Sequence, residues 1–92
     1  METPSRIRVL LVDDHRVLRE GLERILGLCT DLEVIASAET GEDALLLVPR
    51  LRPDVVLLDL ALPGMHGLDV IPMLLRQEYT PRILVLTVHD DD

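Results

Sequence analysis

The chain predicts an α/β domain built on a parallel sheet, and three observations carry that expectation. Short apolar runs (Ile7 to Val12, Leu32 to Ser37, Val55 to Leu58 and Ile83 to Leu86) are separated by helix-length amphipathic segments. Three of these runs end on polar groups: the first on Asp13-Asp14, the third on Asp59 and the last on Thr87. Strands joined by helical crossovers run parallel, so their C-termini open on one edge, where ligands of such sheets sit. The three carboxylates and the hydroxyl are therefore expected to meet. Crowded carboxylates repel unless a proton or cation intervenes, which points to a divalent metal with oxygen ligands.

Each element has its own justification. Ile7 to Val12 has no helical stripe and reads as a buried strand. From His15 to Leu28 the period changes: Leu18, Leu22, Ile25 and Leu26 share one helical face, and Glu20 and Arg24 form an i, i+4 pair on another. Leu32 to Ser37 is the second strand. Thr40 is placed to cap a second helix whose first turn carries Glu42 and Asp43, and Pro49 is expected to distort or end it. Pro53 introduces the most hydrophobic strand, Val55 to Leu58, and Pro63-Gly64 with Gly67 mark a loop. A third helix is expected from about Leu68 to Gln77, with Pro72 either costing its first turn a backbone bond or making it begin late. Pro81 opens the last strand, Ile83 to Leu86. The alternation implies a layered domain with right-handed crossovers.

Composition narrows the function. A chain of 92 residues is near the lower limit for a self-sufficient core and is read as one domain. No apolar run nears the roughly 18 residues of a membrane span, no signal-peptide core is visible, and Cys29 has no partner for a disulfide. A cytoplasmic location with no membrane contact is the expectation. The formal charge of −8 argues against this chain gripping nucleic-acid phosphates itself. All nine basic residues are Arg; Lys is absent.

At this point the chain resembles the receiver domain of two-component response regulators, essentially over its whole length. The resemblance rests on Leu-Val-Asp-Asp-His at 11 to 15, Asp-Val-Val-Leu-Leu-Asp-Leu at 54 to 60 with Pro63 and Gly67 after it, and Leu-Thr-Val-His-Asp-Asp at 86 to 91. The first and last segments further resemble the NarL/FixJ-type subfamily, whose members usually add a helix-turn-helix DNA-binding domain. The resemblance implies a flavodoxin-like doubly wound sheet of order 2-1-3-4-5, with four strands and three helices in residues 1–92 and the fourth helix, fifth strand and fifth helix missing. It implies that Asp59 accepts a phosphoryl group from a sensor histidine kinase. Asp14 and Asp59 would bind Mg²⁺ directly, Asp13 largely through water, and Ala61 through its backbone carbonyl. Thr87 would be the switch hydroxyl. DNA would be contacted through an output domain absent here, and the chain would act in signalling, not as an enzyme.

Departures from the family pattern matter as well. Relatives place a Lys beside the phosphoryl group at the end of the fifth strand, and this chain has none. The fragment is therefore expected to bind Mg²⁺ weakly and to transfer phosphoryl groups poorly. The competing reading is a noncatalytic receiver-like binding or dimerisation module. A nucleotide hydrolase would want a Gly-rich loop with Lys, and an aspartyl-phosphate phosphatase would want a second Asp where Ala61 stands. Leu62 and Val88 are mild departures. An uncovered Ile83 to Leu86 edge should make the isolated chain self-associate as a homodimer or larger species.

Other residues take ordinary roles. Asp13 alone would suit a helix cap, but with Asp14 and Asp59 it reads as part of a site. His15 and His89 are read as solvated or capping rather than as ligands, His66 as exposed, and Cys29 as a small packed residue. Leu45 to Val48 reads as core, and Asp90 to Asp92 as a solvated helix start or tail.

Overall fold

The computed structural model describes residues 6–86. Among them the chain runs β1 (Ile7–Val12), α1 (Arg16–Gly27), β2 (Leu32–Ala38), α2 (Gly41–Leu51), β3 (Val55–Asp59), α3 (Gly67–Leu75) and β4 (Arg82–Leu86). All strand pairs are parallel, in the order β2-β1-β3-β4. This is the doubly wound order that the sequence predicts. Thr87, Val88, His89 and Asp90 to Asp92 lie outside the described residues.

Side chains alternate between the two faces of a strand, and this divides the core. Leu10 and Val12 of β1, with Val56 and Leu58 of β3, pack against Ala44 and Val48 of α2 and Val70 and Leu74 of α3. Burying each such Leu or Val contributes about 1.5–3 kcal/mol. Leu11 turns to the opposite face, where it is also buried. That second face is thinly covered. No residue of α1 is fully buried, and Ile25, assigned by periodicity to the apolar stripe, is 62% exposed. Leu84 and Val85 of β4 are exposed too.

Four local expectations need correction. Pro49 does not end α2, which continues to Leu51. Proline deprives the carbonyl four residues earlier of its donor, here that of Leu45. The side-chain amide of Gln77 replaces that donor at 2.9 Å, so the helix keeps its last turn. In α1 the i, i+4 ion pair formed is Arg16 to Glu20, at 3.1 Å, rather than Glu20 to Arg24. Exposed pairs of this kind contribute little, about 0.3–0.5 kcal/mol. The Thr40 cap is as expected: its hydroxyl accepts from the Asp43 N–H at 3.1 Å. Pro72 lies inside α3, whose bounds are one residue earlier at the start and two earlier at the end than periodicity suggested. Cys29 is exposed rather than packed.

Candidate acidic functional site

Register brings the acidic residues together. In the β1/β3 pairing Val12 stands opposite Leu58, so the next residues, Asp13 and Asp59, leave neighbouring strands side by side. Asp59 in turn pairs with Leu86 of β4, and Thr87 is the residue that follows. Asp14 comes one step later in the β1 to α1 turn. Ligand atoms of Asp13, Asp14, His15 and Asp59 all lie within 4.8 Å of one another. The three carboxylates are those that the sequence brought to one edge.

Their environments differ. Asp13 and Asp59 are buried, at 2% and 4% exposure, whereas Asp14 faces solvent. One Asp59 oxygen, Oδ1, accepts the Ala61 N–H at 3.0 Å. That bond fixes the carboxylate plane and leaves Oδ2 toward the cluster. Ala61 therefore touches Asp59 through its amide. Asp13 Oδ1 accepts the backbone N–H of His15 at 2.7 Å, and this local turn starts α1. Asp13 Oδ2 is buried with no hydrogen-bond partner. A buried acceptor left unmet costs about 1–3 kcal/mol, more when charged, so the atom has unused capacity for a cation or donor. The nearby guanidinium of Arg19 does not supply it. Its Nη1 binds the Asp13 backbone carbonyl at 3.0 Å and its Nη2 binds Glu39 at 3.3 Å.

His15 is solvent-exposed, as expected, though it does not cap. It stands at the N-cap position of α1, but its side chain makes no capping bond. Instead Nδ1 lies 3.0 Å from Asp13, 3.2 Å from Asp14 and 3.4 Å from Asp59. The hydrogen bond to Asp13, then the charge of Asp14, and more weakly those of Asp13 and Asp59, hold its pKa above the usual 6.5 against the opposing effect of desolvation. His66 is exposed as expected and caps α3 by accepting the Leu68 N–H at 3.1 Å. The signal for His15 was its place directly after Asp13-Asp14 at a strand exit.

The loop beyond Asp59 is held close to the strand. The N–H of Gly67 donates to the Leu60 carbonyl at 3.0 Å. A Cβ built at Gly67 would stand 2.6 Å from Leu60 Cα and 2.9 Å from the Asp59 carbonyl oxygen. Glycine is thus required by space at this position. Leu62 is buried and joins the core, anchoring the same loop.

A parallel sheet of this order, carrying three carboxylates at the C-terminal edge of β1 and β3, is the arrangement of a receiver domain, and comparison with known proteins agrees. Residues 9–92 match the response regulator receiver domain family, and the chain belongs to that family. Its similarity reaches the NarL-type branch. It is 43% identical to the response regulator GacA of Pseudomonas aeruginosa, over 94% of this chain and 40% of that protein. It is 38% identical to the nitrate/nitrite response regulator NarL of Escherichia coli K12, over 100% of this chain and 44% of the relative. Among solved structures, the receiver domain of the NarL regulator from Mycobacterium tuberculosis superposes with a TM-score of 0.87 at 39% identity, covering 96% of this chain and 71% of that one. The chain thus spans less than half the length of these curated relatives. Among the described residues no helix is long and apolar enough to cross a membrane.

Proposed function

We propose that this chain is the phosphoacceptor module of a two-component regulator, with Asp59 as the residue that receives the phosphoryl group from a sensor histidine kinase. The observation that carries the reading is the buried Asp59 carboxylate, anchored through Oδ1 by the Ala61 amide and turned by Oδ2 toward Asp13 and Asp14. The donor set suits Mg²⁺: carboxylates are hard oxygen ligands, and Asp13 keeps a buried oxygen without a partner. Asp14 and Asp59 would hold the ion directly, Asp13 largely through water, with the Ala61 carbonyl as a further oxygen. When bound, Mg²⁺ neutralises the phosphoryl oxygens so that an anionic carboxylate can approach them.

The protein's own part is positioning. Asp59 Oδ2 attacks phosphorus, the bond to the donor's leaving atom breaks, and an acyl phosphate forms on Asp59. Thr87 is the proposed hydroxyl that answers the new phosphoryl oxygens, with transcriptional output through a DNA-binding domain outside this chain and a cytoplasmic location.

Metal titration tests the site. Asp14→Ala is expected to weaken Mg²⁺ binding at least about tenfold, since loss of even an outer-shell partner costs 10–100-fold; unchanged affinity would remove Asp14 from the ligand set. A small phosphodonor with Mg²⁺ should place a base-labile, hydroxylamine-sensitive label on the protein that carries this domain. Normal Mg²⁺ binding without any label would favour the noncatalytic reading.

The proposed partners also include a second copy of the chain. Exposed Leu84 and Val85 stand on the outer strand of the described sheet, an arrangement prone to pairing. Sedimentation of the isolated 92-residue chain should give a mass above one copy, and a monodisperse monomer with protected amides at Val85 and Leu86 would refute this.

A further inference from the structure

The side chain of Arg19 is only 13% exposed, yet its ion pair is with Glu39, which is 68% exposed and outside the acidic cluster. An exposed carboxylate contributes little to such a pair and does not account for drawing a guanidinium inward. The other arm of the fork does. Nη1 donates to the backbone carbonyl of Asp13 at 3.0 Å, a charge-assisted bond. That carbonyl belongs to the peptide joining Asp13 to Asp14. A trans peptide is planar, with its C=O and N–H on opposite sides, so holding the carbonyl sets the direction in which Asp14 leaves the strand. The Asp13 N–H is tied as well, to the Ala38 carbonyl at 3.0 Å, and Asp13 Oδ1 takes the His15 N–H at 2.7 Å. Arg19 is carried on the first turn of α1, where its own N–H bonds the His15 carbonyl at 2.9 Å. Its guanidinium therefore links the exit of β1, the start of α1 and, through Glu39, the segment between β2 and α2.

We propose that Arg19 is the positioning residue of the acidic site: its guanidinium sets the Asp13-Asp14 peptide so that both carboxylates are turned toward Asp59 before any ion arrives. The inference rests on the acidic cluster being the Mg²⁺ site of the phosphoacceptor reading. Glu39 fills the second arm of the fork at 3.3 Å and balances its charge, so the pair adds no net positive charge to oppose Mg²⁺. A lysine at this position would keep the charge but present a point donor in place of the fork.

Arg19→Ala alone would remove a cation together with a clamp, and the two effects on Mg²⁺ affinity have opposite signs. The test therefore uses the charge-balanced double variant Arg19→Ala with Glu39→Ala, beside Arg19→Lys and the control Val48→Ala, a buried core position of α2. In the protein that carries this domain, amide hydrogen exchange at His15 is read without metal, and Mg²⁺ affinity is read by titration at about 0.15 M salt, where the Debye length is about 8 Å. In the double variant the His15 N–H should exchange at least about tenfold faster and Mg²⁺ should bind at least about tenfold more weakly, the usual cost of losing a group that orients metal ligands. Arg19→Lys should recover part of both, and Val48→Ala should lower the unfolding midpoint while moving neither. Unchanged His15 exchange or tighter Mg²⁺ binding in the double variant would overturn the inference, as would equal effects from Val48→Ala, which would make the role of Arg19 one of general stability. Intact Mg²⁺ affinity in Asp14→Ala would instead overturn the site reading beneath it, while His15 exchange in the metal-free protein still judges Arg19, so the two failures are distinguishable.

Discussion

Asp59→Asn should abolish phosphoryl labelling altogether while leaving the domain folded. Asparagine retains the shape of the side chain, and its carbonyl oxygen can still accept the Ala61 N–H that anchors Oδ1 at 3.0 Å. It loses the anionic oxygen that attacks phosphorus, and a neutral amide is a poor nucleophile. It also removes one of two buried carboxylates, at 4% exposure, from a crowded cluster. The metal-free protein should therefore unfold no earlier than wild type, because like charges are relieved. Intact-mass analysis after treatment with a small phosphodonor and Mg²⁺ reads the label, and denaturant titration reads the fold. An equal, acid-stable label on the Asn variant would show that another residue accepts the group.

Gly67→Ala should be the most disruptive single methyl added to the loop. Its Cβ would meet Leu60 Cα at 2.6 Å and the Asp59 carbonyl oxygen at 2.9 Å, both backbone atoms that cannot swing aside. The start of α3 must then move off the end of β3, straining the Gly67 to Leu60 backbone bond. Overpacking of this kind costs about 1–3 kcal/mol, occasionally more. Since Asp59 lies at the same strand end, Mg²⁺ affinity should fall together with the unfolding midpoint. The contrast is Gly21→Ala in α1, where an added Cβ meets nothing within 4 Å. There the better helix propensity of alanine should stabilise by about 0.5–1 kcal/mol. Equal midpoints for the two variants would refute the close-approach account.

What the sequence determined by itself was the set of elements and the meeting of the carboxylates. Apolar runs bounded by Pro, Gly and charge define strand limits locally, and parallel strands expose their C-termini on one edge whatever the packing details. Asp13, Asp14 and Asp59 were therefore legible as a group before any coordinate was known. Thr40 was legible for a similar reason, because a cap acts within one turn of its own helix. The tertiary structure decided whatever depends on distance between residues remote in the chain. Pro49 looked like a helix end because its replacement donor, Gln77, approaches from beyond α3. Gly67 looked like a turn residue, whereas its small size answers to the backbone of Leu60. The apolar stripe of α1 was read correctly as amphipathic, yet periodicity reports which face is apolar and not how closely a partner covers it; none of that helix is fully buried. His15 is the functional case. Its residue type read as solvated or capping rather than as a ligand, and only the geometry of the turn from β1 into α1 sets its ring nitrogen against three carboxylates.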